Sequence, residues 1–196
     1  MAKQGKTGLV HYYPGRGKGK TTAALGLALR AAGHGLKTCF IQFLKISNRY
    51  GELAAVKKLG GLIEIRQFGS PCRNPGAADP GFVCAGCMAC HVNPDDPRPE
   101  DIECAKKALE FAAASLESGA YGLVVCDEIG YAVELGLISP ADVAGMLKKR
   151  NPQTEAVLTG GALYDEIAAL CDYVTEISEI KHHYRSGLVE VKGIDY

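Results

Sequence analysis

The sequence predicts an α/β fold with a mainly parallel sheet and helices on both faces. Two observations carry that expectation: β-rich apolar runs alternate with helix-patterned segments almost from end to end, and 196 residues suffice to bury a sheet between two helical layers. Alternating strands and helices need crossover connections, and crossovers make neighbouring strands parallel. Hydrophobic residues at 47% and charged residues at 22% fit a folded globular chain.

In chain order, Gly8–Tyr13 reads as a buried strand followed by a glycine-rich turn, and Thr21–Ala32 as a small-residue helix stopped by Gly33 and Gly35. Lys37–Gln42 is the second β-rich run. A helix near Tyr50–Leu59 ends at Gly60 and Gly61, before a third strand at Leu62–Ile65. Ile102, Ala105, Leu109, Ala112 and Leu116 recur at spacings of three and four, the apolar face of a helix. Gly122–Cys126 is the fourth strand and runs directly into Asp127 and Glu128. A helix at Pro140–Arg150, a strand at Ala156–Thr159, a short helix at Tyr164–Leu170 and two β-rich runs, Tyr173–Ile177 and Leu188–Val191, complete the pattern. The long irregular stretch from Gly69 to Pro99 holds six of the nine prolines and reads as a loop inserted within a single domain spanning 1–196.

The 22 basic and 22 acidic residues cancel, so no bulk field favours nucleic acid or an anionic membrane. No apolar run approaches the ~20 residues that span a bilayer. Met1–Lys6 carries no apolar segment of signal-peptide type, and the expected compartment is the cytoplasm.

The strongest motif runs from Pro14 to Thr22, P-G-R-G-K-G-K-T-T, between the first strand and the first helix. Glycines let successive backbone N–H groups turn inward around phosphate oxygens, and the helix adds its positive N-terminus. Pro14 stands at the first glycine position of the usual G-x-x-x-x-G-K-[ST] pattern, while Gly15, Gly17 and Gly19 supply the flexibility of the turn. Gly15, Arg16, Gly17, Lys18, Gly19, Lys20, Thr21 and Thr22 are therefore candidates to hold ATP. Lys20 is placed to neutralise phosphate, and the Thr21 hydroxyl to complete a Mg²⁺ shell. With this loop the fold expectation narrows to a P-loop NTPase-like, RecA-like sheet. Asp127 and Glu128, at the C-terminal end of a buried strand, lie where open α/β sheets bind ligands, and either carboxylate could hold Mg²⁺, with Glu128 favoured. Lys20, Thr21 and Glu128 are the residues expected to carry catalysis.

Four of the eight cysteines, Cys72, Cys84, Cys87 and Cys90, crowd into the irregular loop. The C-x-x-C-x-x-C spacing of the last three can bring thiolates round one centre, with Cys72 as fourth ligand and His91 or Cys104 as substitutes. Zn²⁺ suits four soft ligands, and an iron–sulfur cluster suits the triple spacing; unliganded thiols are the plain alternative. Cys87–His91 also spells a C-x-x-C-H haem attachment site, a type that belongs with export. Lys181, His182 and His183 form a basic patch, but neighbouring histidines on a strand face opposite ways and do not share one ion.

The spelling of several motifs resembles one family. Gly15–Thr22 followed by Ala28–Gly35, Ile41–Lys45 (I-Q-F-L-K), Cys126–Ala132 (C-D-E-I-G-Y-A), Leu158–Gly160, Val174–Ile177, Ile180–His182 and Gly193–Tyr196 are similar, in order, to motifs of the P-loop ATP:corrinoid adenosyltransferases. The resemblance covers most of the chain outside Gly69–Pro99. It implies transfer of the 5′-deoxyadenosyl group of ATP to a Co(I) corrinoid, with triphosphate leaving and no general base required. It further implies ATP bound in reverse relative to ordinary P-loop ATPases, an electron donor that makes Co(I), and a homodimer. Gly161 stands where the family commonly has arginine, with Arg16 or Lys45 as replacements, and Gly130 where a polar residue is usual. Of the aromatic corrinoid-facing loop only Gly81-Phe82-Val83 remains, making Phe82 the candidate to displace the lower cobalt ligand. The alternatives are a P-loop ATPase or kinase with a metal- or redox-sensing cysteine loop, and a non-catalytic ATP- and corrinoid-binding regulator.

Overall fold

The computed structural model describes residues 8–74, 76, 90–182, 187 and 191–195. Among these residues six strands form one sheet: β1 (Val10–Tyr13), β2 (Thr38–Phe43), β3 (Ile63–Phe68), β4 (Leu123–Asp127), β5 (Glu155–Thr159) and β6 (Tyr173–Val174). Their order across the sheet is β3-β2-β4-β5-β1-β6, and every pairing is parallel. Among the described residues six helices connect them: α1 (Lys20–Gly33), α2 (Gly51–Val56), α3 (Pro99–Glu117), α4 (Ile129–Glu134), α5 (Pro140–Lys148) and α6 (Asp165–Ala168).

Alternation along each strand builds a core on either side of the sheet. Cys39, Ile41 and Phe43 of β2, with Val124 and Cys126 of β4 and Ala156 and Leu158 of β5, pack against the alanine stripe Ala105, Ala108 and Ala112 of α3 and against α4, α5 and α6. Phe40, Leu123, Val125 and Val157 face the other way and pack on Ala24, Ala28 and Ala32 of α1. Alanine at these helix positions lets both layers approach the sheet closely. β2 is buried at all six positions, and four of them, Cys39, Phe40, Ile41 and Phe43, are apolar.

Helix ends follow local chemistry. At α5, Ser139 accepts from the Asp142 N–H and Asp142 accepts from the Ser139 N–H, with Pro140 in the first turn. At α3, the buried Asp101 accepts from the Arg98 backbone N–H at 3.0 Å and from its guanidinium at 2.6 and 2.8 Å, and it also takes a hydrogen bond from Ser70. That knot ties the far end of the irregular loop to its beginning.

Two expectations change, and a third falls mostly outside the described residues. Helix α4 is unforeseen, because only the left-handed backbone of Glu128 (φ 65°) turns the chain into a helix immediately after the strand. The run Tyr173–Ile177 keeps ladder geometry only at Tyr173 and Val174; beyond it, the Thr175 and Ile177 amides bond the carbonyls of Tyr12 and Pro14 as the segment leaves the sheet edge. Of the run Leu188–Val191, only Val191 is among the described residues, and it is not in a strand.

Candidate functional site

Strand order brings the site together. β5 lies between β1 and β4, so its last residue, Thr159, is interposed between the loop that follows β1 and the acidic end of β4. The cleft above these strand ends has a volume of about 610 Å³, and its walls include Lys18, Lys20, Thr21, Lys45, Glu128 and Tyr131.

The Pro14–Thr22 loop is held by its own backbone. The Gly15 N–H donates to the Gly161 carbonyl at 2.8 Å, and the Gly17 N–H to the Ile177 carbonyl at 2.7 Å. With those two amides committed, Gly15 and Gly17 shape the loop. The amides of Lys20, Thr21 and Thr22 open α1, whose first in-helix bond runs from Ala23 to the Gly19 carbonyl, so they are the ones a helix leaves for an anion. Gly19 makes the entry at φ 112°, which a side chain would resist.

Lys20 is buried. Its ammonium donates to the Gly17 carbonyl at 2.6 Å and lies 5.4 Å from the centre of the Tyr131 ring. Burial lowers its pKa, against the opposing pull of Glu128 and Asp127. The Tyr131 hydroxyl reaches the Gly15 carbonyl at 3.4 Å, linking α4 to the loop.

Asp127 is fully buried and fully engaged. Its Oδ1 accepts from the Thr21 hydroxyl at 2.9 Å and the Thr159 hydroxyl at 2.8 Å, while its Oδ2 accepts from Lys45 at 2.8 Å. Glu128, 28% exposed at the side chain, lies 3.2 Å from the same Lys45 ammonium, and its amide donates to Thr159 Oγ1. Burial raises the pKa of Glu128, with Lys45 opposing and Asp127 adding to the rise. Burial works against the charge of Lys45, yet Asp127 and Glu128 outweigh it and hold its pKa above the ordinary value. The hard oxygens of Thr21, Asp127 and Glu128 form a donor set that suits Mg²⁺.

The other basic residues at the cleft are paired with acidic side chains away from Asp127 and Glu128. Arg16 is paired with Glu134 at 2.5 Å on the surface, and Lys18 with Asp195 of the C-terminal segment. His91, next to Cys90, and His182 both reach the cleft wall, whereas Lys181 is exposed. Among the described residues no group of three or more His, Cys, Asp or Glu side chains gathers as a metal site. Cys72 and Cys90 are half-buried, while Phe82, Cys84, Cys87 and His183 lie outside the described residues.

Gly130 and Gly161 belong to one contact. A Cβ at Gly130 would drive into the Gly160 carbonyl, and a Cβ at Gly161 (φ 69°) into the Gly130 carbonyl. Helix α4 and the turn after β5 therefore meet backbone to backbone, and glycine at both places follows from that approach. Thr159, Tyr131 and Tyr50, whose ring centre lies 5.3 Å from Lys45, are site residues that sequence reasoning did not single out. Their positions depend on strand order and on α4, neither of which periodicity reveals.

Comparison with known proteins agrees with this geometry. The profile of the family described as ATP:corrinoid adenosyltransferase BtuR/CobO/CobP matches residues 6–196. A corrinoid adenosyltransferase of Sinorhizobium sp is 31% identical over 195 residues, which cover 99% of this chain and 83% of that protein. The corrinoid adenosyltransferase of Pseudomonas aeruginosa is 29% identical over 189 residues, covering 96% and 84% respectively. That of Escherichia coli K12 is 28% identical over 193 residues, covering 98% and 88%. With nearly its whole length matched and a phosphate loop, an acidic strand end and a shared cleft in place, the chain belongs to the ATP:corrinoid adenosyltransferase family.

Proposed function

We propose that this chain transfers the 5′-deoxyadenosyl group of ATP to a Co(I) corrinoid and that its phosphate loop holds the departing triphosphate. The observation that carries the reading is the buried Lys20, set in a glycine loop beside the Thr21–Asp127 hydrogen bond, in a chain of this family. Co(I) supplies an electron pair to ribose C5′, the C5′–O bond breaks, and its electrons leave on the triphosphate oxygen, so cobalt ends as Co(III) bound to carbon. The nucleophile has no proton to lose, and no general base is assigned.

Charge accumulates on the leaving group, so catalysis is electrostatic. Lys20 and the amides of Lys20, Thr21 and Thr22 hold that charge. The loop residues Gly15, Arg16, Gly17, Lys18 and Gly19 form its frame. Mg²⁺ held by Thr21, Asp127 and Glu128 would add positive charge beside the same oxygens. The whole chain acts as one P-loop unit in the cytoplasm, as a homodimer supplied with Co(I) by an electron donor. Spacing supports Cys72, Cys84, Cys87 and Cys90 as ligands of Zn²⁺ or an iron–sulfur cluster, with Phe82 of the same loop facing the corrinoid. Metal analysis and visible spectra of protein purified without oxygen test that part, and a colourless, metal-free and fully active preparation removes it.

ATP labelled at C5′ tests the transfer itself. After incubation with Mg²⁺ and a reduced corrinoid, the label should move to the corrinoid and be released by light. Label that stays wholly in nucleotides refutes the reading.

A further inference from the structure

Lys45 occupies the place that a metal ion would be expected to take. It follows β2 directly, after Leu44, whose backbone is left-handed at φ 61°, a conformation that non-glycine residues adopt at a cost. The reversal returns the lysine over the strand ends, where its side chain is only 10% exposed. Asp127 divides its oxygens: Oδ1 is taken by the hydroxyls of Thr21 and Thr159, so Oδ2 and the Glu128 carboxylate remain for a cation. Those are the two groups the Lys45 ammonium takes, at 2.8 and 3.2 Å, with the Tyr50 ring covering it at 5.3 Å. A single ammonium thus sits among the oxygens offered to a divalent ion, in the wall of the cleft that faces the phosphate loop.

We propose that Lys45 is a stand-in cation that holds Asp127 and Glu128 together in the empty enzyme and is displaced when the divalent metal enters. Lys45 is then a positioning residue: it keeps two adjacent carboxylates from repelling each other before substrate arrives, and its release places a free ammonium in the cleft alongside the incoming triphosphate. Arg16 also lines the cleft but is not equivalent, because its guanidinium pairs with Glu134 while Lys45 pairs with Asp127 and Glu128. The proposal rests on the assignment of the metal to Asp127 and Glu128.

The test uses Mn²⁺ alone, without nucleotide, with free Mn²⁺ followed by electron paramagnetic resonance. Removing a positive charge from within ~4 Å of the metal position should tighten Mn²⁺ binding by about tenfold or more in Lys45→Met. Lys45→Arg, which keeps the charge, should bind as the wild type does. Equal Mn²⁺ affinity in Lys45→Met and wild type overturns the stand-in role, while an added Asp127→Asn that abolishes binding shows that the metal assignment survives. If Asp127→Asn leaves the Lys45→Met affinity untouched, the metal lies elsewhere and both ideas fall. The unmodified protein gives a second readout that needs no variant: acetylation of Lys45 by acetic anhydride, followed by peptide mass, should be slow alone and several-fold faster when Mg²⁺ is added. A rate at Lys45 unchanged at Mg²⁺ concentrations that displace bound Mn²⁺ also overturns the proposal.

Discussion

Thr159→Val removes one hydroxyl and keeps a β-branched side chain of nearly the same shape at a fully buried position. That hydroxyl donates to Asp127 Oδ1 at 2.8 Å and accepts from the Glu128 N–H at 2.9 Å. A hydrogen bond to a carboxylate contributes about 1.5–3 kcal/mol, and an amide left without its partner costs about 1–3 kcal/mol. Thr21 and Lys45 still hold Asp127, so the lower part of the combined range applies, about 2.5–4 kcal/mol. With a urea dependence of roughly 2–3 kcal/mol per molar for a chain of this size, the unfolding midpoint should fall by about 1–2 M. Thr159→Ser keeps both hydrogen bonds and should lose only about 1 kcal/mol, for the missing methyl group. Because Glu128 enters α4 from a left-handed backbone that this amide bond steadies, the valine variant should also use ATP less well than the serine variant. Urea melts followed by circular dichroism, with adenosyl transfer assayed on the same samples, separate the two effects. A valine variant that melts at the wild-type midpoint refutes the account of Thr159 as the link between β5 and the acidic strand end.

Lys20→Ala should abolish adenosyl transfer while leaving the fold intact, measured by turnover and circular dichroism, since its ammonium bonds the loop carbonyl of Gly17 and lies against Tyr131. Gly161→Arg should not improve catalysis: its Cβ would strike the Gly130 carbonyl from a backbone at φ 69°, so a lower melting temperature is expected, with turnover unchanged or reduced. Burial opposes ionisation of Asp101, but hydrogen bonds from the Arg98 side chain, Ser70 and the Arg98 amide outweigh it and hold its pKa below the ordinary 3.8. The folded state therefore gains stability from this carboxylate above that pH and loses it as pH falls through 3.8 and below. Asp101→Asn should cost about 1–3 kcal/mol at neutral pH and flatten the acid side of the stability profile, read from urea melts between about pH 3 and 7.

Much of the fold was legible because its signals are local. The first five strands are β-rich runs, each bounded at one or both ends by glycines, prolines or charged residues, and α3 displays its buried face in the spacing of Ile102, Ala105, Leu109, Ala112 and Leu116. The phosphate loop was legible because glycine, lysine and threonine have few other reasons to stand in that order between a strand and a helix. What stayed hidden is non-local. Thr159 reads as the end of an ordinary β-rich run, and only the placement of β5 between β1 and β4 makes it a partner of Asp127. Lys45 belongs to a recognisable motif, but its engagement of both acidic residues depends on the left-handed turn at Leu44, which leucine does not advertise. Gly130 and Gly161, thirty-one positions apart in the sequence, become one close contact in space.

The phosphate-containing product tests the central claim most directly. With ATP, Mg²⁺ and a Co(I) corrinoid, phosphorus NMR of the reaction should show inorganic triphosphate rising in step with the cobalt–carbon product and no ADP. ADP and inorganic phosphate in place of triphosphate would contradict an enzyme built to release all three phosphates as one group.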